Sequence, residues 1–180
     1  TYVGDASVSV PIPATLALAA AYTFREKTTI EFTYERNYWS AYESLDFDYS
    51  PPLGALSFFF SAFDDAVPKN WDDTNTYRIG VTHQLNPKWT LMAGFAYDES
   101  PAPKETIGFE LPDSDAKIYS IGARYRHSDA LSLGAAFLYD SKDKLTLAPG
   151  ENTVNGLLAA GAEFEDARAY LLTVGLEYKF

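Results

Sequence analysis

The side chains best suited to binding a metal or moving a proton near neutral pH are the two histidines, His83 and His127. Each falls near the end of an alternating segment beside polar residues, and neither has a partner at the spacing a metal site uses. They read as interfacial residues. Asp113 and Asp115 hint at a calcium loop, but the twelve-residue ligand pattern is missing, so turn capping is the expectation. With no cysteine, disulfides and thiolate metal sites are excluded. No metal, cofactor or enzymatic activity is expected. The remaining charged candidates are Arg78, Arg124 and Arg126, with Glu31, Glu35, Asp98, Asp140 and Glu177. All eight fall in the polar phase of alternating segments. Two chemistries are open to them: an ion-pair network holding neighbouring strands in register, or an arginine that receives a carboxylate through a bidentate contact. A further candidate is the apolar tract with Phe58, Phe59, Phe60 and Phe63, which lies in a long connection. An exposed patch of this kind commonly binds something; the competing reading is a packed lid.

The elements that position these residues show period-two alternation, the mark of strands with two unlike faces. The terminal segment is the cleanest. Tyr170, Leu172, Val174, Leu176, Tyr178 and Phe180 share one wholly apolar face, against Leu171, Thr173, Gly175, Glu177 and Lys179. Six other segments repeat the pattern, from Leu16 to Phe24, Ile30 to Tyr38, Tyr77 to Gln84, Trp89 to Asp98, Tyr119 to Arg126 and Leu131 to Asp140. Tight turns at 25–27, 86–88 and 128–130 alternate with long connections at about 44–73, 99–116 and 141–167. Outer-membrane barrels have this asymmetry, with short periplasmic turns and long extracellular loops. Gly80, Gly94, Gly122, Gly134 and Gly175 add a polar-phase row of small residues that implies a needed space.

Composition agrees. Of the 180 residues 47% are hydrophobic, with 13 Tyr, 12 Phe and 3 Trp, yet mean hydropathy is −0.19. A helical membrane protein needs about 20 consecutive apolar residues per span, and the longest runs here are short. The net charge of −11 excludes a nucleic-acid partner, since the basic footprint is missing. Charges in mid-strand, at Glu31, Glu35, Arg78 and Arg124, suit a wet lumen better than a dry core. The expected fold is therefore all-β, an antiparallel transmembrane β-barrel. Its partners would be outer-membrane lipid or detergent and the barrel-assembly machinery, for which the terminal aromatic strand resembles the recognition signal. A general diffusion porin for small polar solutes and a soluble lipid-binding β-barrel are the alternatives. Seven strands is an odd number for such a barrel. Residues 7–12 offer part of an eighth strand, weakened by Pro11 and Pro13.

Several stretches, in order, resemble the outer-membrane long-chain fatty-acid transporter (FadL) family. They are Val10-Pro11-Ile12-Pro13-Ala14-Thr15-Leu16, then Pro68-Lys69-Asn70-Trp71-Asp72-Asp73-Thr74 with Tyr77-Arg78-Ile79-Gly80-Val81. Lys88-Trp89-Thr90-Leu91 through Pro103 follows, and then Leu111-Pro112-Asp113-Ser114-Asp115 leading into Ser120–Tyr125. The resemblance implies a fourteen-stranded barrel of the Gram-negative outer membrane, plugged by an N-terminal hatch, monomeric at full length. It implies facilitated uptake of long-chain fatty acids or other hydrophobic small molecules. Residues 1–180 would then be the C-terminal part, about seven strands, with the hatch and earlier strands absent. The connection at 50–67 departs from the family in being more apolar.

Overall fold

The computed structural model describes residues 3–50, 52–54 and 65–180. The strands in chain order are β1 (Asp5–Val8), β2 (Thr15–Phe24), β3 (Thr28–Asn37), β4 (Ser44–Leu45), β5 (Phe47–Ser50), β6 (Val67–Pro68) and β7 (Thr74–Gln84). They continue with β8 (Trp89–Asp98), β9 (Ala116–Arg126), β10 (Leu131–Lys142), β11 (Leu145–Leu147), β12 (Ala162–Phe164) and β13 (Arg168–Tyr178). The seven alternating segments are β2, β3, β7, β8, β9, β10 and β13. They form one antiparallel sheet in which each pairs with its neighbours along the chain, in the order β13-β10-β9-β8-β7-β3-β2. The candidate eighth strand does not join it. Residues 5–8 are extended but pair with β5 in a separate ribbon, and Pro11 and Pro13 fall in the irregular link that follows.

Each tight turn has its own closing device. In the first, the Phe24 carbonyl accepts the Lys27 N–H at 3.0 Å while Arg25 and Glu26 both take left-handed φ, 47° and 58°. In the second, the Asn86 side chain accepts the N–H groups of Lys88 and Trp89 at 2.9 and 3.0 Å. In the third, Ser128 Oγ accepts those of Ala130 and Leu131 at 3.3 and 3.1 Å. These local bonds reverse the chain within three or four residues and fix the register of each hairpin.

One face of the sheet is apolar from edge to edge. Directly opposed residues share a face, so Ala20, Phe32, Ile79, Phe95, Tyr119, Tyr139 and Tyr170 form one cross-strand row of it. The rings of Tyr119 and Tyr139 stack at 6.3 Å, and those of Tyr139 and Tyr170 at 5.1 Å. In the terminal strand Leu172, Val174 and Leu176 are 69–77% exposed on this face. Tyr170, Tyr178 and Phe180 belong to the same apolar phase and are exposed as well. A strand of 11 residues is about 36 Å long at ~3.3 Å per residue, and at a tilt of about 45° rises about 26 Å, the height of a barrel's lipid-facing band. The solvent that satisfies this face is hydrocarbon.

The long connections fold on one another at the opposite end from the tight turns. Ile107, Leu145, Leu147 and Leu158 make a small buried core flanked by the β11–β12 hairpin. Trp71 packs edge-on against Trp39 and Tyr42, with centroids 5.0 and 4.9 Å apart. Within the sheet, β2 and β13 are the two edges among the described residues. Lipid offers no hydrogen bonds to an open edge, so a strand edge in contact with it needs a pairing partner.

Candidate functional site

The register places all eight charged candidates on the second, polar face. Glu35 opposes Thr76, which opposes Asp98; Arg78 opposes Ala96, which opposes Ile118 and then Asp140. Glu31 opposes Gly80, which opposes Gly94 and then Ser120. Toward the tight turns, Arg124 lies between Thr90 and Gly134, and Arg126 opposes Ser132, which opposes Glu177.

Of the eight, Glu35 and Arg78 are the one pair that meets, with Arg78 Nη1 donating to Glu35 Oε2 at 3.0 Å. The pair is well hydrated, so its contribution is about 1 kcal/mol or less. It helps keep β3 and β7 in register without being a main support. Asp98 accepts a hydrogen bond from the buried Thr76 hydroxyl at 2.5 Å. Asp140 Oδ1 is buried with no partner among the described residues. Glu177 has Lys179 as a distant counter-ion at 3.9 Å. Arg124 and Arg126 form no ion pair or side-chain hydrogen bond among the described residues. A strand-spanning ion-pair network is therefore not what these residues build; they form separate groups at different heights along the face.

Three hollows follow that division. One of about 390 Å³ sits at the loop end, where Arg78, Thr76 and Asp98 meet Trp39 and Trp71. A second, of about 310 Å³, lies at mid-height over Gly80 and Gly94. A Cβ on Gly80 would meet nothing within 4 Å, whereas one on Gly94 would stand 2.7 Å from Ser120 Oγ. One wall of this hollow is Glu31 and Arg78; the other is Ile118 and Leu138. The third, of about 340 Å³, opens between the tight turns and contains Arg124 and Arg126.

Four large apolar side chains on the polar face did not stand out in the sequence: Met92, Ile118, Leu138 and Leu171. Leu138 lies directly opposite both Ser120 and Leu171, and Ile118 opposite Asp140. Each sits singly in a polar phase, so the adjacency of Ile118, Leu138 and Leu171 emerges only from the pairing of β9, β10 and β13; Met92 faces Thr82 and Gly122 instead.

Carboxylates tie the long connections to the strand ends. Asp113 accepts from Ser100 Oγ at 2.8 Å and pairs with Lys142, while Asp115 accepts from the Ser100 N–H at 2.9 Å and from the Tyr97 hydroxyl. The two aspartates act as connection ties. His83 Nδ1 bonds the Thr28 hydroxyl at 2.8 Å, and His127 packs edge-on to Tyr125. The backbone N–H of Ser40 at 3.0 Å, reinforced by the Ser40 hydroxyl and the Arg36 guanidinium, holds the Asp73 carboxyl below the usual range. The Ala148 N–H does the same for Glu151 at 2.7 Å, with Lys104 adding to it. Burial pushes Glu110 up, but the Lys69 ammonium and a backbone N–H outweigh it and hold it low. The candidate capture residues Phe58, Phe59, Phe60 and Phe63 lie outside the described residues.

The chain has clear relatives. The family described as outer membrane protein transport protein (OMPP1/FadL/TodX) matches residues 1–180. A long-chain fatty acid transport protein of Escherichia coli O6:H1 is 31% identical over 111 residues, covering 59% of this chain and 23% of that protein. One from Salmonella typhi is 29% identical over 79 residues, covering 43% of this chain and 18% of its own. The chain thus spans about a quarter or less of the curated relatives it matches. Among solved structures, a Pseudomonas aeruginosa FadL homologue superposes with a TM-score of 0.70 at 24% identity, over 95% of this chain and 35% of that one. The Pseudomonas putida toluene transporter TodX gives 0.57 at 20% identity, over 79% and 32%. These likenesses establish the fold, a section of outer-membrane barrel wall.

Proposed function

Because this chain belongs to the OMPP1/FadL/TodX family of Gram-negative outer-membrane proteins, we propose that its sheet is part of the wall of a channel for facilitated uptake of hydrophobic compounds. The apolar face meets lipid, the polar face meets the lumen, and the tight turns point to the periplasm. On this reading β2 and β13 pair with further strands that complete the barrel. Transport consists of binding and release along the lumen, without a chemical step.

The observation that carries this reading is the apolar wall within the polar face. Ile118 and Leu138 stand across a glycine-floored hollow from Glu31 and Arg78, and Leu171 extends the wall to the next strand. A water-filled porin channel is polar throughout, whereas a path for hydrophobic molecules needs apolar surface that a passing molecule can cover. Long-chain fatty acids, the cargo in the names of the curated relatives, and toluene, the cargo in the name of TodX, are both candidates for such a path.

The test uses the full-length protein in proteoliposomes, with labelled oleate and toluene as cargo and sugar-driven swelling as the porin control. The double variant Leu138→Asp, Leu171→Asp replaces two of the three residues of the apolar wall while leaving the lipid face alone. Uptake of both hydrophobic probes should fall at least tenfold, with no swelling in the wild type. Sugar-driven swelling by the wild type, or unchanged uptake by a correctly inserted variant, contradicts the proposal.

A further inference from the structure

The lipid face of the sheet carries a depression of its own. Among the described residues, Ala20, Ala93, Ala123 and Ala135 belong to its apolar phase. Ala20 opposes Phe32, and Ala93 stands between Val81 and Ile121, so each of these two has large neighbours. Ala123 and Ala135 instead oppose each other, between Leu91 and Val174. Two methyl groups side by side leave the wall low, and a hollow of about 460 Å³ opens over them. Leu91, Ile121, Phe137 and Leu172 form its sides.

The membrane boundary lies close by. Two residues toward the tight turns, about 7 Å along the strands, the next row of the same face holds Trp89 opposite Tyr125. Their rings are 4.8 Å apart, and His127 packs edge-on to Tyr125 at 6.1 Å. Trp and Tyr settle where hydrocarbon gives way to head groups, because each has an apolar body and a hydrogen-bond donor at one end. An indole N–H, a phenol O–H and an imidazole are thus gathered at the turn end of the hollow.

Acyl chains cover the whole of this face in a membrane, and a lipid tail is as apolar as leucine, so apolar contact alone selects nothing. Selection needs a shape that keeps one chain in place and polar groups that fix its head. The depression over Ala123 and Ala135 supplies the first, through closer van der Waals contact on several sides of the chain. The group of Trp89, Tyr125 and His127 supplies the second. A chain lying in the hollow and running along the strands brings its ester and phosphate to these donors.

We infer that this part of the wall is a docking site for a phospholipid, with one acyl chain over Ala123 and Ala135 and the phosphate at Trp89, Tyr125 and His127. The occupant is a glycerophospholipid of the leaflet on the turn side. Short turns of outer-membrane barrels face the periplasm, and the periplasmic leaflet of that membrane is built of phospholipid. Lipopolysaccharide carries its phosphates in the opposite leaflet and does not match this arrangement. The site lies on the outer surface of the wall and does not depend on what passes through the lumen.

The experiment titrates the full-length protein in detergent micelles with palmitoyl-oleoyl-phosphatidylethanolamine, with the diacylglycerol of the same chains and with lipid A. Native mass spectrometry reads the bound fraction. The wild type should hold the phospholipid about tenfold or more tighter than the diacylglycerol, the scale of hydrogen bonds to a charged group. Ala123→Trp/Ala135→Trp fills the hollow and should weaken phospholipid binding by a similar factor. Ala123→Leu/Ala135→Leu fills it in part, and carries the test if the tryptophan variant does not insert. Ala20→Trp makes the same change elsewhere on the lipid face and should bind as the wild type does. Trp89→Leu/His127→Leu should bring the phospholipid down to the diacylglycerol level. Equal phospholipid binding in the wild type and the filled variants overturns the inference, as does a wild type that holds no phospholipid. So does an equal loss in Ala20→Trp, which would mean unselective covering by lipid, or tighter binding of lipid A than of the phospholipid.

Discussion

Asn152 holds the loop cap together, and replacing it gives a prediction whose size can be worked from contacts. Its side chain is 2% exposed. Nδ2 donates to the carbonyls of Lys104 at 2.9 Å and Ile107 at 2.8 Å, and Oδ1 accepts the N–H groups of Asn155 at 2.8 Å and Val154 at 3.3 Å. One amide thus joins residues some 45 positions apart. Asn152→Ala leaves four backbone groups short of a partner, three of them at good distance. A buried group left unpaired costs about 1–3 kcal/mol, and water entering the vacated volume recovers part of that, so the net cost is about 3 kcal/mol. The cost falls on local opening of the cap rather than on the barrel. At 1.4 kcal/mol per decade it amounts to roughly a hundredfold. Hydrogen exchange read by mass spectrometry on the full-length protein in nanodiscs should show that increase in peptides covering 99–115 and 145–164, with strand peptides unchanged. Asn152→Asp should be at least as damaging, because it keeps the shape but sets a carboxylate oxygen against two carbonyls. Unchanged exchange in the alanine variant, or a harmless aspartate, would refute the hydrogen-bond account.

Two further outcomes follow from the faces and the loop carboxylates. Val174 sits mid-strand on the lipid face and Thr173 beside it on the lumen face, so Val174→Arg should lower stability in lipid vesicles by about 2–4 kcal/mol while Thr173→Arg changes it little; equal effects in a urea titration would mean the faces are assigned wrongly. Asp73, Glu110 and Glu151 titrate lower in the folded loops than in an unfolded chain. Their contribution is therefore fully present above the unfolded carboxylate range of about 4 and is lost as pH falls through the depressed values. Loop protection measured by limited proteolysis should stay flat from about pH 7 to 5 and decline below about 4; a transition centred near pH 6 would point to other groups.

The seven spanning strands and the identity of their two faces could be read from the chain alone, because alternation is a local property. Tyr170 to Phe180 shows both faces of β13 without reference to any neighbour. The tight turns were equally legible, since Asn86 and Ser128 close them with bonds two or three residues long. Membership of an outer-membrane family was legible for the same reason: short motifs such as Lys88 to Leu91, a turn residue running into β8, are contiguous in the chain. What the folded chain decided are relations across long separations. Arg78 and Glu35 are 43 residues apart and meet only because β3 pairs with β7 in one register. Arg124 looks no different in sequence from Arg78, yet the pairing of β9 with β10 sets it opposite Gly134. Ile118, Leu138 and Leu171 each interrupt a polar phase once, and become a surface only when their strands lie together. The connections carry no period at all, so the burial of Asn152 and the core of Ile107, Leu145, Leu147 and Leu158 depend entirely on where the strands deliver the ends of each loop.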